Sequence, residues 1–509
     1  MPRASWSGSI SRKIVRRIIV EGELVLQTPA HFGNGDSTDL VDMPLLTDSL
    51  DGKTPLLPGA SIAGALRSYV REREHGFRAK ADTNAGTAGS ASILLFGGNK
   101  GDEYGEQSPL LVEDALGKYA SVELRDGVRV NGESRTAEEE KLFNIEMWEA
   151  GTTFPLRFEL IVRQQDDQSV LRQALATALA GFNDGSITLG ARKRRGYGQV
   201  SVAGWRVREY DLANSADLLD WIANGSNALS GPVFPDIAAA LNVGTLIDDH
   251  RHTFRLHAEF SLDGSLLIRS GSGPEIRQED TNAASDQGPD TVHLHSARPA
   301  SSSDGRRERR PILSGTSLAG ALRARALKIA RLIAPPTKEG VEDARQLIDS
   351  MFGADMDVAK NPEASRVIVY ERVVTGVENT SVQNRVSLDR FTGSTRDGAL
   401  FNEQPLFGGE QSLVTVCLRL ENPQAYEIGL LLLLLKDLWT GDLPLGGESS
   451  IGRGRLRGTY CHLEYLKDAA QTWELLANGA NDLSMTAAAR QELERYVTNL
   501  HTHLSRSKP

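Results

Sequence analysis

An eleven-residue stretch occurs twice in this chain, and that repetition limits the possible folds more than any other feature. Leu57-Pro58-Gly59-Ala60-Ser61-Ile62-Ala63-Gly64-Ala65-Leu66-Arg67 returns as Leu313-Ser314-Gly315-Thr316-Ser317-Leu318-Ala319-Gly320-Ala321-Leu322-Arg323, eight of eleven residues identical, at an offset of 256. Two more landmarks keep the offset. Phe96-Gly97 returns as Phe352-Gly353, and Leu189-Gly190 with Gly196-Tyr197-Gly198 returns as Leu445-Gly446 with Gly452-Arg453-Gly454. The period is far longer than that of solenoid repeats, so each copy has to be a domain. A chain of 509 residues is in any case too long for one core.

Each copy of the motif reads as a glycine turn running into a helix. Ser61 and Ser317 are residue types that cap helix N-termini. Ile62, Leu66 and Val70 follow at helical spacing, as do Leu318, Leu322, Ile329 and Ile333. Gly64 and Gly320 sit inside the helix, where glycine costs about 1 kcal/mol against alanine, which points to a close approach there. A glycine-flanked helix start with Arg67 or Arg323 nearby suits an anion such as phosphate.

Composition narrows the classes. A hydrophobic fraction of 40% with 24% charged residues is that of an ordinary globular chain. The longest apolar run, IGLLLLLL from Ile428 to Leu435, is too short to span a bilayer. No secretory signal is visible in the basic N-terminal stretch, and the expectation is a cytoplasmic protein without membrane contact. Cys417 and Cys461 alone build neither a disulfide framework nor a zinc knuckle. The net charge of −10 argues against indiscriminate nucleic-acid binding. Two basic clusters, Arg192-Lys193-Arg194-Arg195 and Arg306-Arg307-Glu308-Arg309-Arg310, leave room for a local basic groove.

In order, each copy reads as strand, helix, strand, hairpin, strand, helix and glycine-rich loop, an α+β plan resembling a split β-α-β, ferredoxin-like unit with insertions. The expected divisions are a first domain at 1–210, a connector at 211–250, a second domain at 251–466 and a helical tail at 467–509. Asp126-Gly127 and Asn131-Gly132 are hairpin-turn signals in the first copy. The glycine loops let main-chain amides approach phosphates, with Arg192, Lys193, Arg194 and Arg195 enclosed by the first and Arg453 by the second, Arg455 just beyond.

The paired G-x-S-x-x-G-x-x-R helix starts, the Phe-Gly after each, the late glycine loops and the segment Leu388-Asp389-Arg390-Phe391-Thr392-Gly393 resemble the RAMP superfamily. More narrowly they resemble the backbone subunits of type III CRISPR effector complexes, and the tandem arrangement is similar to the two-domain fusion of type III-D variants. The resemblance implies two tandem ferredoxin-like (RRM-like) domains with inserted thumb hairpins. It implies guide RNA, target RNA and other effector subunits as partners. It also implies metal-dependent target cleavage at an aspartate ahead of a Pro-apolar pair, where Asp42 stands in Val41-Asp42-Met43-Pro44-Leu45, with Mg2+ or Mn2+ at Asp42. His31 sits where the family has a His-x-Gly-Gly-like turn. His31, Ser61, Arg67, Arg192 to Arg195, Ser317, Arg323, Arg390, Arg453 and Arg455 are the RNA-binding candidates. In the second copy the pairing is open: counting forward from Gly273 reaches Asp280, counting back from Gly315 reaches Arg298, and Asp286, Asp290 and His293 lie between. Asp290 is the choice for a second cutting residue. The alternatives are a catalytically inactive scaffold and a guide-processing endoribonuclease of the same superfamily.

Overall fold

The computed structural model describes residues 13–33, 35, 42–79, 89–98, 107–130, 137–269, 289–299, 307–354, 363–467, 469–479 and 482–505. Gly271, Gly273, Asp280, Asp286, Arg306 and the Asn131-Gly132 turn lie outside them.

The first copy runs β1 (Ile14–Leu26), α1 (Gly59–His75), β2 (Leu110–Val112), a hairpin of β3 (Val122–Val130) and β4 (Ala137–Trp148), then β5 (Thr153–Arg163), α2 (Gln168–Ala180) and β6 (Val200–Asp211). Its sheet is antiparallel in the order β2-β5-β1-β6. Burial alternates along β5, where Phe154, Leu156, Phe158, Leu160 and Val162 face inward, as expected for a sheet covered on one side. Helix α2 begins where Asp167 accepts from the amides of Ser169 and Val170, and it buries Leu171, Ala174, Leu175 and Ala178 at helical spacing.

The second copy repeats the plan with β7 (Thr253–Asp263), α3 (Gly315–Ile333), α4 (Lys338–Phe352), β8 (Val367–Val369), a hairpin of β9 (Gln383–Leu388) and β10 (Thr395–Gln404), β11 (Val414–Glu421), α5 (Ala425–Trp439) and β12 (Arg455–Leu466). The order β8-β11-β7-β12 matches that of the first sheet, strand for strand. The leucine run is helix α5, buried between the sheet and the C-terminal segment. Each copy has its own apolar core.

Three expectations change. The C-terminal segment is more than a helical tail: β13 (Ala470–Asn478) and β14 (Asp482–Ser484) extend the second sheet to six strands, and α6 (Ala487–Ser505) buries Leu493, Leu500 and Leu504 in the second core. Residues 237–247 are not a free connector, because Ile237 and Leu241 enter the first core and Ile247 packs on it. Asp126-Gly127 is mid-strand rather than a turn. Gly127 pairs with Phe143, and a Cβ there would fall 2.0 Å from the Phe143 ring.

The connecting helix Ser215–Asn224 covers the outer face of the first sheet, with Arg17 stacked 4.2 Å over Trp221. Among the described residues no helix is long and apolar enough to cross a membrane.

Candidate RNA-facing site

Both copies of the opening motif start their helices one turn earlier than the serines suggest. Helix α1 begins at Gly59 after Pro58, and its first amide donates to Asp114 Oδ1 at 2.6 Å, a cap supplied from beyond β2. Helix α3 is capped by Ser314, whose hydroxyl accepts from Ser317 N at 3.2 Å. Ser61 is therefore free of capping duty and lines a groove instead. No described atom outside the helix lies within 4 Å of a Cβ placed on Gly64 or Gly320, so none of the described residues makes the close approach expected there.

The two motif arginines are turned onto their own chain. Arg67 Nη2 donates to Gly97 O at 3.0 Å, and Arg323 donates to Gly353 O and, at 2.6 Å, to Asp349 Oδ1. Gly97 and Gly353 both have positive φ, 76° and 90°, a conformation glycine reaches without the Cβ penalty. The Arg and the Phe-Gly recur at one offset because they bond each other. Each of these two expected RNA contacts thus has a partner within its own copy.

A groove of about 1080 Å³ opens above α1. It gathers His31, Asp42, Ser61, Lys193 and Arg194 from the first copy with Tyr370, Arg419 and Glu421 from the second. Its walls are not uniformly basic, since Glu72 and Glu421 face it alongside Arg194, Arg251 and Arg419. Burial pushes the Glu72 carboxyl up, and the neighbouring Glu421 adds to that. Burial likewise works against the charge on Arg194; Glu421 supports it, Arg419 opposes it, and the net pKa is lowered.

Asp42 is exposed and held at the root of the hairpin. Residues 42–46 run beside β4, Met43 bridging Ile145 in parallel. Asp42 N donates to Asn144 Oδ1 at 3.0 Å, and Asn144 N donates to Asp42 Oδ2 at 2.9 Å. Farther along, Leu45 N donates to Glu146 Oε2 at 3.3 Å. His31 is buried, its Nδ1 2.8 Å from Glu146 O and its Nε2 against Gly33, where a Cβ would lie 2.5 Å away. His31 thus lines the groove through a fixed ring.

The second copy settles the open pairing. Thr291 and Val292 run parallel to Glu403 and Gln404, as Met43 does to Ile145. Asn402 N donates to Asp290 Oδ2 at 2.8 Å, matching Asn144 and Asp42. Asp290 therefore stands where Asp42 stands. Arg298 is buried elsewhere, and His293 is a core residue: Ile268 N donates to its Nδ1 at 3.2 Å, its Nε2 lies 3.0 Å from Ile312 O, and burial lowers its pKa to about 3.

The glycine loops differ more than their sequences suggest. In the first, Arg192 adopts a left-handed conformation and stacks 4.2 Å over Phe143 of the hairpin, while Arg195 and Gly196 press into the second copy. A Cβ on Gly315 would lie 2.0 Å from Arg195 O, and one on Gly196 would lie 2.4 Å from Glu371 N. In the second loop Arg453 is buried on Glu403 (2.9 Å), Glu448 (3.3 Å) and Gln383 (2.8 Å). It ties its own loop to its own hairpin. Arg390 is exposed at the hairpin end and Arg455 is exposed at the start of β12, both away from the groove.

Between the copies lies a buried polar network that sequence reading missed. Glu371 is shared by Arg125 of the first hairpin, at 3.2 Å, and by Arg298. Arg125 also pairs with Glu123, which accepts from Ser296 at 2.8 Å. Burial alone would raise the Glu371 carboxyl, but Arg125 and Arg298 outweigh it and hold it below its ordinary value. Nothing local marked these residues, which come from three separate stretches. Asn144 and Asn402 did carry a signal, the shared Leu-Phe-Asn at 142–144 and 400–402.

Among the described residues no three His, Cys, Asp or Glu gather where they could share an ion. Asp42 or Asp290 alone would hold Mg2+ only with phosphate oxygens and water completing the shell.

No curated protein matches the chain significantly. A family model for the RAMP superfamily matches residues 23–201 and 298–457, one stretch in each copy and together about two thirds of the chain. The chain belongs to the RAMP superfamily, which it carries as a tandem repeat.

Proposed function

We propose that this chain is a backbone subunit of a type III CRISPR effector complex, binding guide RNA with two ferredoxin-like domains and cutting complementary target RNA at Asp42 and Asp290. The superfamily's association with CRISPR complexes and RNA binding is the starting point. The observation that carries the reading is the equivalence of the two aspartates, each exposed at a hairpin root and bonded to the same strand position. A residue needed only for a turn has no reason to recur in loops of different length.

The chemistry suited to such a site is attack by a ribose 2′-hydroxyl on the adjacent phosphorus. The new O–P bond forms as the bond to the 5′-oxygen breaks, leaving a 2′,3′-cyclic phosphate and a 5′-hydroxyl. Asp42, held through Oδ2, has a second oxygen to orient the 2′-hydroxyl and take its proton. Ser61 and the helix α1 N-terminus face the groove and suit the RNA backbone. Lys193 and Arg194 on the same wall would meet developing negative charge. A Mg2+ or Mn2+ ion held by Asp42 and a phosphate oxygen would add charge stabilisation.

The join between the copies supports a multi-subunit role. It is head-to-tail: the glycine loop of the first copy seats on the helix start of the second. The matching loop of the second copy is uncovered among the described residues, with no described atom within 4 Å of a Cβ on Gly452 and Ile451 52% exposed. A heterologous contact of this kind leaves that loop face free for a further subunit.

The deciding experiment reconstitutes the complex with guide RNA and maps cuts in a complementary target with Mg2+. Asp42→Asn and Asp290→Asn should each abolish one cut and leave the other. If the double variant leaves every product unchanged, the chain is a scaffold.

A further inference from the structure

The geometry points to Asn144 and Asn402 as the positioning residues that aim Asp42 and Asp290. This rests on the reading of those aspartates as cutting residues. The two asparagines are equivalent by place, each following a Leu-Phe pair on the returning strand of its hairpin. The spacing between the asparagines is 402 − 144 = 258, whereas that between the aspartates is 290 − 42 = 248. The loops have drifted by ten residues relative to the strands. The aspartate-to-asparagine bond has survived the drift.

In the first copy the clamp is reciprocal. One strand residue accepts from the Asp42 amide through its side chain and donates to the Asp42 carboxylate through its main chain. Two bonds to one loop residue fix both where its backbone lies and how its carboxylate turns. That matters here because Asp42 itself is exposed, while the residues after it are held by main-chain bridges, Met43 to Ile145 and Leu45 to Gly33. A displacement of about 1 Å at a reacting group can cost on the order of 100-fold in rate.

In the second copy the clamp is half made. Asn402 N donates to Asp290 Oδ2 at 2.8 Å, but Asn402 Oδ1 is buried without a hydrogen-bond partner among the described residues. That oxygen is the atom which in the first copy accepts from the aspartate's amide. A buried unpaired acceptor destabilises the chain, so Asn402 stands there at a cost. A hydrogen bond from the Asp290 amide would satisfy it and complete the same two-bond hold.

The test uses the reconstituted complex with guide RNA, single-turnover cleavage of each target position, and target affinity measured separately. Asn144→Ala should slow the Asp42 cut roughly 10- to 100-fold without changing target affinity. The Asp290 cut, unaffected, reports that the complex is folded and assembled. Asn402→Ala should slow the Asp290 cut alone while the melting temperature of the protein holds or rises, since an unpaired buried group is removed. A merely structural asparagine would give the opposite pattern, a lower melting temperature with both cuts retained. Full-rate cutting at both positions in the asparagine variants, with Asp42→Asn still abolishing its cut, overturns this inference and leaves the cutting assignment standing. Unchanged cutting in Asp42→Asn overturns the cutting assignment itself.

Discussion

At the residue scale, Arg323 and His293 were both open to a ligand reading until the structure gave them partners. Arg323 bonds the carbonyl of the Phe-Gly turn and Asp349, holding two parts of the second copy that are thirty residues apart. Arg323→Ala should therefore lower stability by about 1.5–3 kcal/mol, the range for hydrogen bonds to charged groups. Chemical denaturation checks this, and guide-RNA affinity of the folded variant should not fall with it. His293 is buried neutral, with a pKa near 3 against an ordinary 6.5. Its depressed value means that the unfolded chain binds the proton first as pH falls. The stability it contributes is complete above pH 6.5 and is lost between there and about pH 3, by about 1.4 kcal/mol per unit at most. Relative to wild type, His293→Gln should flatten the stability curve across that window.

At the scale of elements, the two glycine loops form a matched pair of experiments. Gly196 and Gly452 have nearly the same left-handed φ, 89° and 91°, so an alanine strains each backbone by about 1–2 kcal/mol. Only Gly196 is pressed against another element, the Glu371 amide and Val369 O of the second copy, whereas Gly452 faces open space. Gly196→Ala should destabilise the protein by clearly more than Gly452→Ala, and the difference in denaturation midpoint measures the crowding at the join. The hairpins teach the same lesson. Asp126-Gly127 has the composition of a tight turn, yet it lies in a strand because Phe143 packs across the glycine from the paired strand. Local turn chemistry was overruled by a partner sixteen residues away.

For the whole molecule, the question is what makes two duplicated domains one body. The buried network around Glu371 joins the first hairpin to the second copy, and Arg307 adds a 3.0 Å pair with Glu149. Glu371 titrates below its ordinary 4.5. Its contribution is thus present above pH 4.5 and fades as pH falls through the lowered value. Hydrogen exchange of the 190–198 loop should rise in that acidic range before either core unfolds, and Glu371→Gln should show raised exchange already at neutral pH. Removing one partner from a buried pair costs about 3–5 kcal/mol, enough to loosen the join without unfolding the domains.

What the sequence determined by itself was the duplication and the plan of each copy. Landmarks at one offset and alternating apolar strands are local patterns, and local patterns survive in a string of letters. The strand order, the early helix starts and the seating of the C-terminal strands needed the sheet, because pairing partners lie far apart in the chain. The site divided in the same way. Asp42 could be picked out by its neighbours, and Asp290 was one choice among five because the loop before the second motif had changed length. The pairing of Thr291 and Val292 with Glu403 and Gln404, and a hydrogen bond to Asn402 across 402 − 290 = 112 residues, decided it. Likewise the arginines of the repeated motif pointed to RNA on composition alone. Their bonds to Gly97 and Gly353 exist only once the helix lies against the turn, where each glycine carbonyl faces the guanidinium of its own copy.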